Sequence, residues 1–123
     1  MSDTLAQDAR LVDEKVIDYV TRSIVEHFHP ERIILFGSQA RGDARRDSDL
    51  DICVIMKTTE RPVKRSITVA SIFKLPSWPM DIVVYTPEEY EERRRIKGTF
   101  AHTIAAEGKV LYDARIPIHG VAG

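Results

Sequence analysis

The apolar residues of this chain recur in short segments that polar turns separate. Between residues 11 and 28 they fall on one face of a helix, at Val16, Ile17, Val20, Ile24 and Phe28. Pro30 ends this predicted helix. Two short apolar runs follow at residues 33–36 and 50–56, and their length predicts two strands.

The second half of the chain continues this alternation. Pro62 suits the first turn of a helix that extends to about residue 75, and residues 78–85 are rich in the β-branched and aromatic residues of strands. Short helices opening at Pro87 and Phe100 precede a last predicted strand at residues 109–112. We therefore expect a single α/β (α+β) domain over residues 1–123, with loose tails at 1–10 and 114–123.

The residues that directly follow the first predicted strand are the first indication of a binding site. Gly37 can adopt backbone angles closed to other residues, and Ser38 is a good N-cap residue that also offers a hydroxyl donor. A helix that begins after Ser38 directs free N–H groups at the turn, which favours an anion. The alternative interpretation is an ordinary strand-to-helix turn, since Gly and Ser are common turn residues.

Two carboxylates mark the start of the second strand. Side chains alternate along a strand, so Asp49 and Asp51 share one face while Leu50 points to the other. Two like charges side by side repel, and a bridging cation such as Mg²⁺, which prefers oxygen ligands, explains their pairing. The alternative is a pair of solvated aspartates at a strand entrance.

Asp81 adds a third carboxylate inside an otherwise apolar predicted strand. A charged residue in such a strand needs a partner. If this strand lies beside the one that carries Asp51, the three carboxylates converge and can hold two divalent ions about 3.5–4 Å apart. An ion pair with an arginine or lysine is the competing interpretation of Asp81.

Composition limits the classes of function. The chain has 123 residues, 43% hydrophobic and 30% charged, with a net charge of −1, so no overall basic field attracts nucleic acid. The basic run Arg93 to Arg95 lies among glutamates and is typical of a solvated helix face, and the alternative is a contact with RNA, phosphate or an acidic partner. Cys53, the single cysteine, cannot form an internal disulfide, and no apolar run approaches the roughly 20 residues that span a bilayer. We expect a cytoplasmic protein with no membrane partner.

These motifs carry a family resemblance. Gly37-Ser38, ten residues, then Asp49-x-Asp51 resembles the signature of the DNA polymerase beta-like nucleotidyltransferase superfamily. The stretch LFGSQARGDARRDSDLDICV is similar to its small prokaryotic branch, the minimal nucleotidyltransferases (MNT), many of which are antitoxins of HEPN–MNT pairs. The resemblance extends over residues 32–112. It implies a small mixed β-sheet flanked by helices.

The resemblance also implies roles for individual residues. Gly37 and Ser38 would contact the triphosphate, and Arg41 would support the loop or reach a phosphate. Asp49, Asp51 and Asp81 would be the catalytic and metal-binding residues for two Mg²⁺ ions, with ATP as the substrate and AMP as the transferred group. All three carboxylate positions are filled, which indicates an active enzyme.

The resemblance leaves the acceptor open. Larger relatives add a helical domain that binds the acceptor, and this chain has no room for one. An antitoxin that adenylylates an all-helical HEPN toxin fits this gap. Two alternatives stay open: an antitoxin that acts by contact alone, and a transferase for a small molecule, of the antibiotic type, whose site a homodimer closes.

Overall fold

The computed structural model describes residues 11–74 and 78–116. Its elements, in chain order, are α1 (Glu14–Phe28), β1 (Arg32–Phe36), α2 (Ser38–Arg41), β2 (Leu50–Ile55), α3 (Pro62–Ala70), β3 (Met80–Tyr85), α4 (Pro87–Arg93), α5 (Phe100–Glu107) and β4 (Lys109–Asp113). Every helix and strand expected from the sequence is present. Their ends differ by a few residues, most at α3, which stops at Ala70 rather than near residue 75.

The four strands form one mixed sheet in the order β3-β2-β1-β4. β1 lies antiparallel to both β2 and β4, and β3 lies parallel to β2. The parallel pair needs a crossover connection, which α3 supplies. This confirms the expected α/β class with a small mixed sheet and flanking helices.

Helices cover both faces of the sheet. On one face α1 and α3 pack over a core that includes Ile24, Ile52 and Val69. On the other face α4 and α5 pack over a second cluster that includes Cys53, Tyr90 and Ile104. Cys53 is fully buried there, as expected of a small core residue.

Local signals in the sequence set the helix ends. Asp13 caps α1 by accepting a hydrogen bond from the Val16 amide, and Thr86 forms a reciprocal capping box with Glu89 at the start of α4. α4 ends at Arg93, so Ile96 lies outside the helix and is 51% exposed.

The expected tails lie mostly outside the described residues. The part of the second tail that is described, residues 114–116, forms a turn in which Arg115 pairs with Asp113 and the Ala114 amide donates to the Glu31 carbonyl. Across the described ranges, no helix has the length and apolar character required to cross a membrane.

Candidate active site

One row of residues crosses three strands at the end of the sheet where β1 stops and β2 begins. Phe36 of β1 lies opposite Asp51 of β2, and Asp51 lies beside Asp81 of β3. Residues paired in this way point to the same face of a sheet, with neighbouring strands about 4.8 Å apart. The sheet register therefore places Asp51 and Asp81 next to each other, which meets the condition for these two carboxylates to converge.

The Gly37 turn is built against this row. Gly37 has φ +72°, a left-handed conformation that side chains rarely adopt. A Cβ added at Gly37 would overlap the Asp51 carboxylate and lie 3.0 Å from its Cγ. The missing side chain thus gives the Asp51 carboxylate the space beside the turn.

The short helix α2 follows the turn directly. The sequence suggested Ser38 as its N-cap, but Gly37 takes that position and Ser38 is the first helical residue, so this expectation was wrong. The Gly37 carbonyl accepts hydrogen bonds from the Ala40 and Arg41 amides. No hydrogen bond among the described residues involves the Ser38 hydroxyl, so this group can donate to a ligand.

Arg41 ties the turn to its surroundings. Its Nε lies 3.4 Å from a carboxylate oxygen of Asp43, and its Nη1 lies 3.8 Å from Glu107 at the end of α5. The side chain is about half exposed, so these ion pairs are weak. Burial and the neighbouring carboxylates raise the pKa of Asp51, and the positive charge of Arg41 offsets part of that rise.

The electrostatics of Asp51 differ from those of an ordinary surface aspartate. Burial, followed by the negative charges of Asp81 and Asp49, raises the pKa of Asp51 from 3.8 to about 6. Asp49 and Asp81 themselves are exposed. A cation placed among these groups would remove the repulsion that raises this pKa.

The donor set fits a divalent ion in its chemistry. Carboxylate oxygens are the ligands that Mg²⁺ prefers, and the ion commonly takes one or two of them together with waters and phosphates. In the described part of the chain, no three His, Cys, Asp or Glu side chains are already arranged around one point as a metal site. The fit thus consists of the adjacent Asp51 and Asp81 carboxylates, with Asp49 at the entrance to β2.

An aromatic pair next to these carboxylates is a feature that the motif analysis missed. Phe100, the first residue of α5, packs edge-to-face on Phe36, with ring centroids 5.2 Å apart. Phe36 is buried, whereas Phe100 is 48% exposed. The sequence placed Phe100 on a short helix but contained no signal that this helix lies over the end of β1.

Comparisons with known proteins agree with this geometry. The nucleotidyltransferase domain family matches residues 14–106, which include the Gly37 turn and all three aspartates. The chain belongs to this nucleotidyltransferase family. This confirms the superfamily resemblance and the expectation of an enzyme that transfers nucleotidyl groups. No curated protein matches the chain in sequence.

Solved structures of similar fold include one nucleotidyltransferase and structures of toxin–antitoxin proteins. A Sulfolobus solfataricus protein assigned to the nucleotidyltransferases is 21% identical, with a TM-score of 0.58 over 82% of this chain and 80% of that one. A toxin–antitoxin with AMP-PNP is 20% identical, with a TM-score of 0.50 over 85% and 81% of the two chains. A mutant of the toxin–antitoxin MntA–HpeT is 20% identical, with a TM-score of 0.51 over 90% and 83%. At these identities the likeness concerns the fold.

Proposed function

We propose that this nucleotidyltransferase moves AMP from ATP to a hydroxyl group of a protein, and that it is the antitoxin that neutralises an all-helical HEPN toxin in this way. The observation that carries the proposal is the pair of adjacent carboxylates, Asp51 and Asp81, built against the Gly37 turn. The complete set of three aspartates supports catalysis. The toxin–antitoxin structures of similar fold, one of them with AMP-PNP, support this choice of partner and nucleotide.

Each residue of the site has a part in the proposed reaction. Gly37 and Ser38 bind the triphosphate, Gly37 because its bare backbone lets phosphate approach and Ser38 through its unpaired hydroxyl. Arg41 stabilises the turn and adds positive charge. Asp49, Asp51 and Asp81 hold two Mg²⁺ ions, which when bound stabilise the attacking and leaving oxygens of an in-line displacement.

The bond changes balance without a further reactant. The acceptor hydroxyl oxygen forms a bond to the α-phosphorus of ATP, and the bond from that phosphorus to the bridging oxygen of the β-phosphate breaks, so pyrophosphate leaves. The hydroxyl proton passes to the Asp81 carboxylate, which is exposed at the edge of the row. The product is a protein that carries AMP in phosphodiester linkage.

The test mixes the purified chain with Mg²⁺, ATP and lysate of its source organism, with the label on either the α- or the γ-phosphate. We expect label from the α-phosphate alone on one protein band, since AMP but not the γ-phosphate is transferred. The Asp49→Asn/Asp51→Asn variant should give no label. The matched control Asp47→Asn/Glu88→Gln removes two exposed charges that the site does not use and should label the band normally.

Other outcomes separate the alternatives. If the Asp49→Asn/Asp51→Asn variant captures and neutralises the partner as well as the wild-type chain does, the protein acts by contact and the enzymatic proposal is wrong. If the α-label enters only small molecules, the acceptor is not a protein. If a protein band is labelled, mass spectrometry of that band shows whether the labelled protein is an all-helical toxin and which hydroxyl carries the AMP.

A further inference from the structure

The exposed ring of Phe100 lies one step from the carboxylate row. Phe36, on which Phe100 packs, is the register partner of Asp51 and points to the same face of the sheet. The sequence of neighbours across the site is thus Phe100, Phe36, Asp51 and Asp81. A single exposed apolar residue needs no explanation elsewhere on a surface, but this one borders charged groups that a substrate must reach.

The backbone before Phe100 is held firmly. The Thr99 hydroxyl lies 2.7 Å from the Arg93 carbonyl and 2.8 Å from the Ile96 carbonyl, and it accepts a hydrogen bond from the His102 amide. His102 Nδ1 lies 2.9 Å from the Arg94 carbonyl. The ring is therefore presented at a fixed position, which lowers the entropy cost of stacking a ligand on it.

The end of α5 is held in place as well. A Cβ at Gly108, which follows α5, would lie 2.5 Å from the Ile34 side chain, so the chain here packs tightly on β1. The Glu107 carboxylate lies 3.8 Å from Arg41 in the turn after β1. The start of α5 thus contacts β1 through Phe100 and Phe36, and its end contacts β1 through Gly108 and Ile34, so the helix has a defined position beside the strand that leads to the Gly37 turn.

We propose that Phe100 is the stacking platform for the nucleobase of the donor nucleoside triphosphate. This inference rests on the proposed function, because the triphosphate must first be held at the Gly37 turn and the aspartates. The α-phosphate then lies beside the carboxylates, and the ribose and base extend from it across the neighbouring surface. An aromatic face stacks on any base, so this contact strengthens binding of nucleotides in general.

The test measures binding, not turnover. Isothermal titration of the full chain with ATP, GTP and inorganic tripolyphosphate, each with Mg²⁺, compares ligands with and without a base. We expect Phe100→Ala to weaken ATP and GTP binding by about 10- to 100-fold and to leave tripolyphosphate binding unchanged. Phe100→Leu keeps most of the bulk on Phe36 but has no aromatic face, so it should weaken ATP and GTP binding nearly as much as Phe100→Ala does. Phe100→Tyr keeps an aromatic face and should bind both nucleotides as the wild type does.

A second aromatic residue provides the control. Tyr19 of α1 is 55% exposed and contacts Phe73 and Trp78 on the opposite face of the sheet. Tyr19→Ala should leave the affinity for all three ligands unchanged. Unchanged tripolyphosphate binding in the Phe100 variants also reports that the chain has folded.

The results distinguish this inference from the proposed function. ATP and tripolyphosphate binding equally well to the wild-type chain would overturn the stacking platform alone. Phe100→Ala with normal ATP affinity and impaired transfer would place the ring against the acceptor, which also contradicts the inference. A wild-type chain that binds neither ligand would overturn both proposals.

Discussion

Charged groups are buried near both ends of the β2–β3 pair, but their neighbours differ: like charges surround the group at one end, and an opposite charge pairs with it at the other. Where the strands begin, the half-buried Asp51 has carboxylates as its main charged neighbours. Past the point where they end, the buried guanidinium of Arg65 makes two hydrogen bonds to Glu89, at 2.7 and 3.3 Å, and donates a third to the Glu60 carbonyl. Glu89 also accepts from the Thr86 amide.

This difference is the one expected between a structural ion pair and a site that binds a ligand. The hydrogen bonds from Arg65 hold the pKa of Glu89 below its usual range, so folding favours its charged form. Burial and repulsion raise the pKa of Asp51, so folding disfavours its charged form. A group whose ionisation lowers the stability of the folded chain is typical of a functional position.

The largest expected effect comes from Asp51→Asn. The proposed function predicts a loss of transfer of about 10³-fold or more, because a charge that stabilises the transition state is removed. The same variant should be more stable than the wild type in EDTA at pH 7, by about 1 kcal/mol after allowing for solvent screening, since it removes a charge that burial and then the neighbouring carboxylates disfavour. Thermal unfolding and transfer assays measure the two effects. A variant that loses stability would contradict the assignment of this end as a strained ligand site.

At the opposite end, Glu89→Gln should cost stability. It leaves the Arg65 guanidinium buried without its counter-charge, for which we expect a loss of about 3 kcal/mol in the free energy of unfolding. Glu91→Gln is the matched control, because Glu91 pairs only with half-exposed or exposed arginines, and its loss should be hard to measure. The double variant Arg65→Met/Glu89→Met should recover much of the stability.

The pH dependence of stability sharpens the same contrast. The pKa of Glu89 is lowered in the folded chain, so its contribution is complete above the unfolded value of 4.5 and is lost as the pH falls through the folded value. The pKa of Asp51 is raised, so the metal-free chain should gain stability as the pH falls from about 6 towards 3.8. Denaturant titrations at a series of pH values measure both contributions to stability. The loss of stability at low pH that Glu89 causes should be absent in Glu89→Gln, and the gain between about pH 6 and 3.8 that Asp51 causes should be absent in Asp51→Asn. Unchanged profiles would contradict both assignments.

A smaller effect tests the Gly37 turn. Gly37 and Gly42 both have positive φ, +72° and +86°, so Ala at either position should cost about 1 kcal/mol of stability. Only at Gly37 does the new Cβ meet Asp51, while at Gly42 nothing lies within 4 Å. Gly37→Ala should therefore lose about 100-fold in transfer and Gly42→Ala much less. Equal losses of transfer in the two variants would mean that the activity does not depend on the space that Gly37 leaves for the Asp51 carboxylate.

Much of the fold could be predicted from the sequence because its signals are local. Apolar spacing and the prolines at Pro30, Pro62 and Pro87 marked the elements to within a few residues. The three aspartates converge only if the strand of Asp81 lies beside the strand of Asp51, a condition that the sequence left open and that the β2–β3 pairing meets. The assignments of ligands and catalytic roles stay predictions.

Other features depend on contacts between distant residues, which periodicity does not record. Side-chain alternation placed Leu50 and Asp51 on opposite faces of β2, but it did not show that the Asp51 face is also covered, by α4 and α5 over Cys53. Nothing in the local pattern distinguished Arg65, which is buried, from the exposed Lys64 beside it. The position of Phe100 likewise depends on how α5 crosses the sheet.

The space that Gly37 leaves for Asp51 can also be used to interpret the sequences of other members of this family. A chain that keeps the aspartates but carries a larger residue at the equivalent of Gly37 could not hold its carboxylate where Asp51 lies in this one. Such a chain could retain the fold, since the clash involves a single side chain at the edge of the sheet. The turn glycine, and not the aspartates alone, is therefore a criterion for separating working transferases from copies that keep only the scaffold.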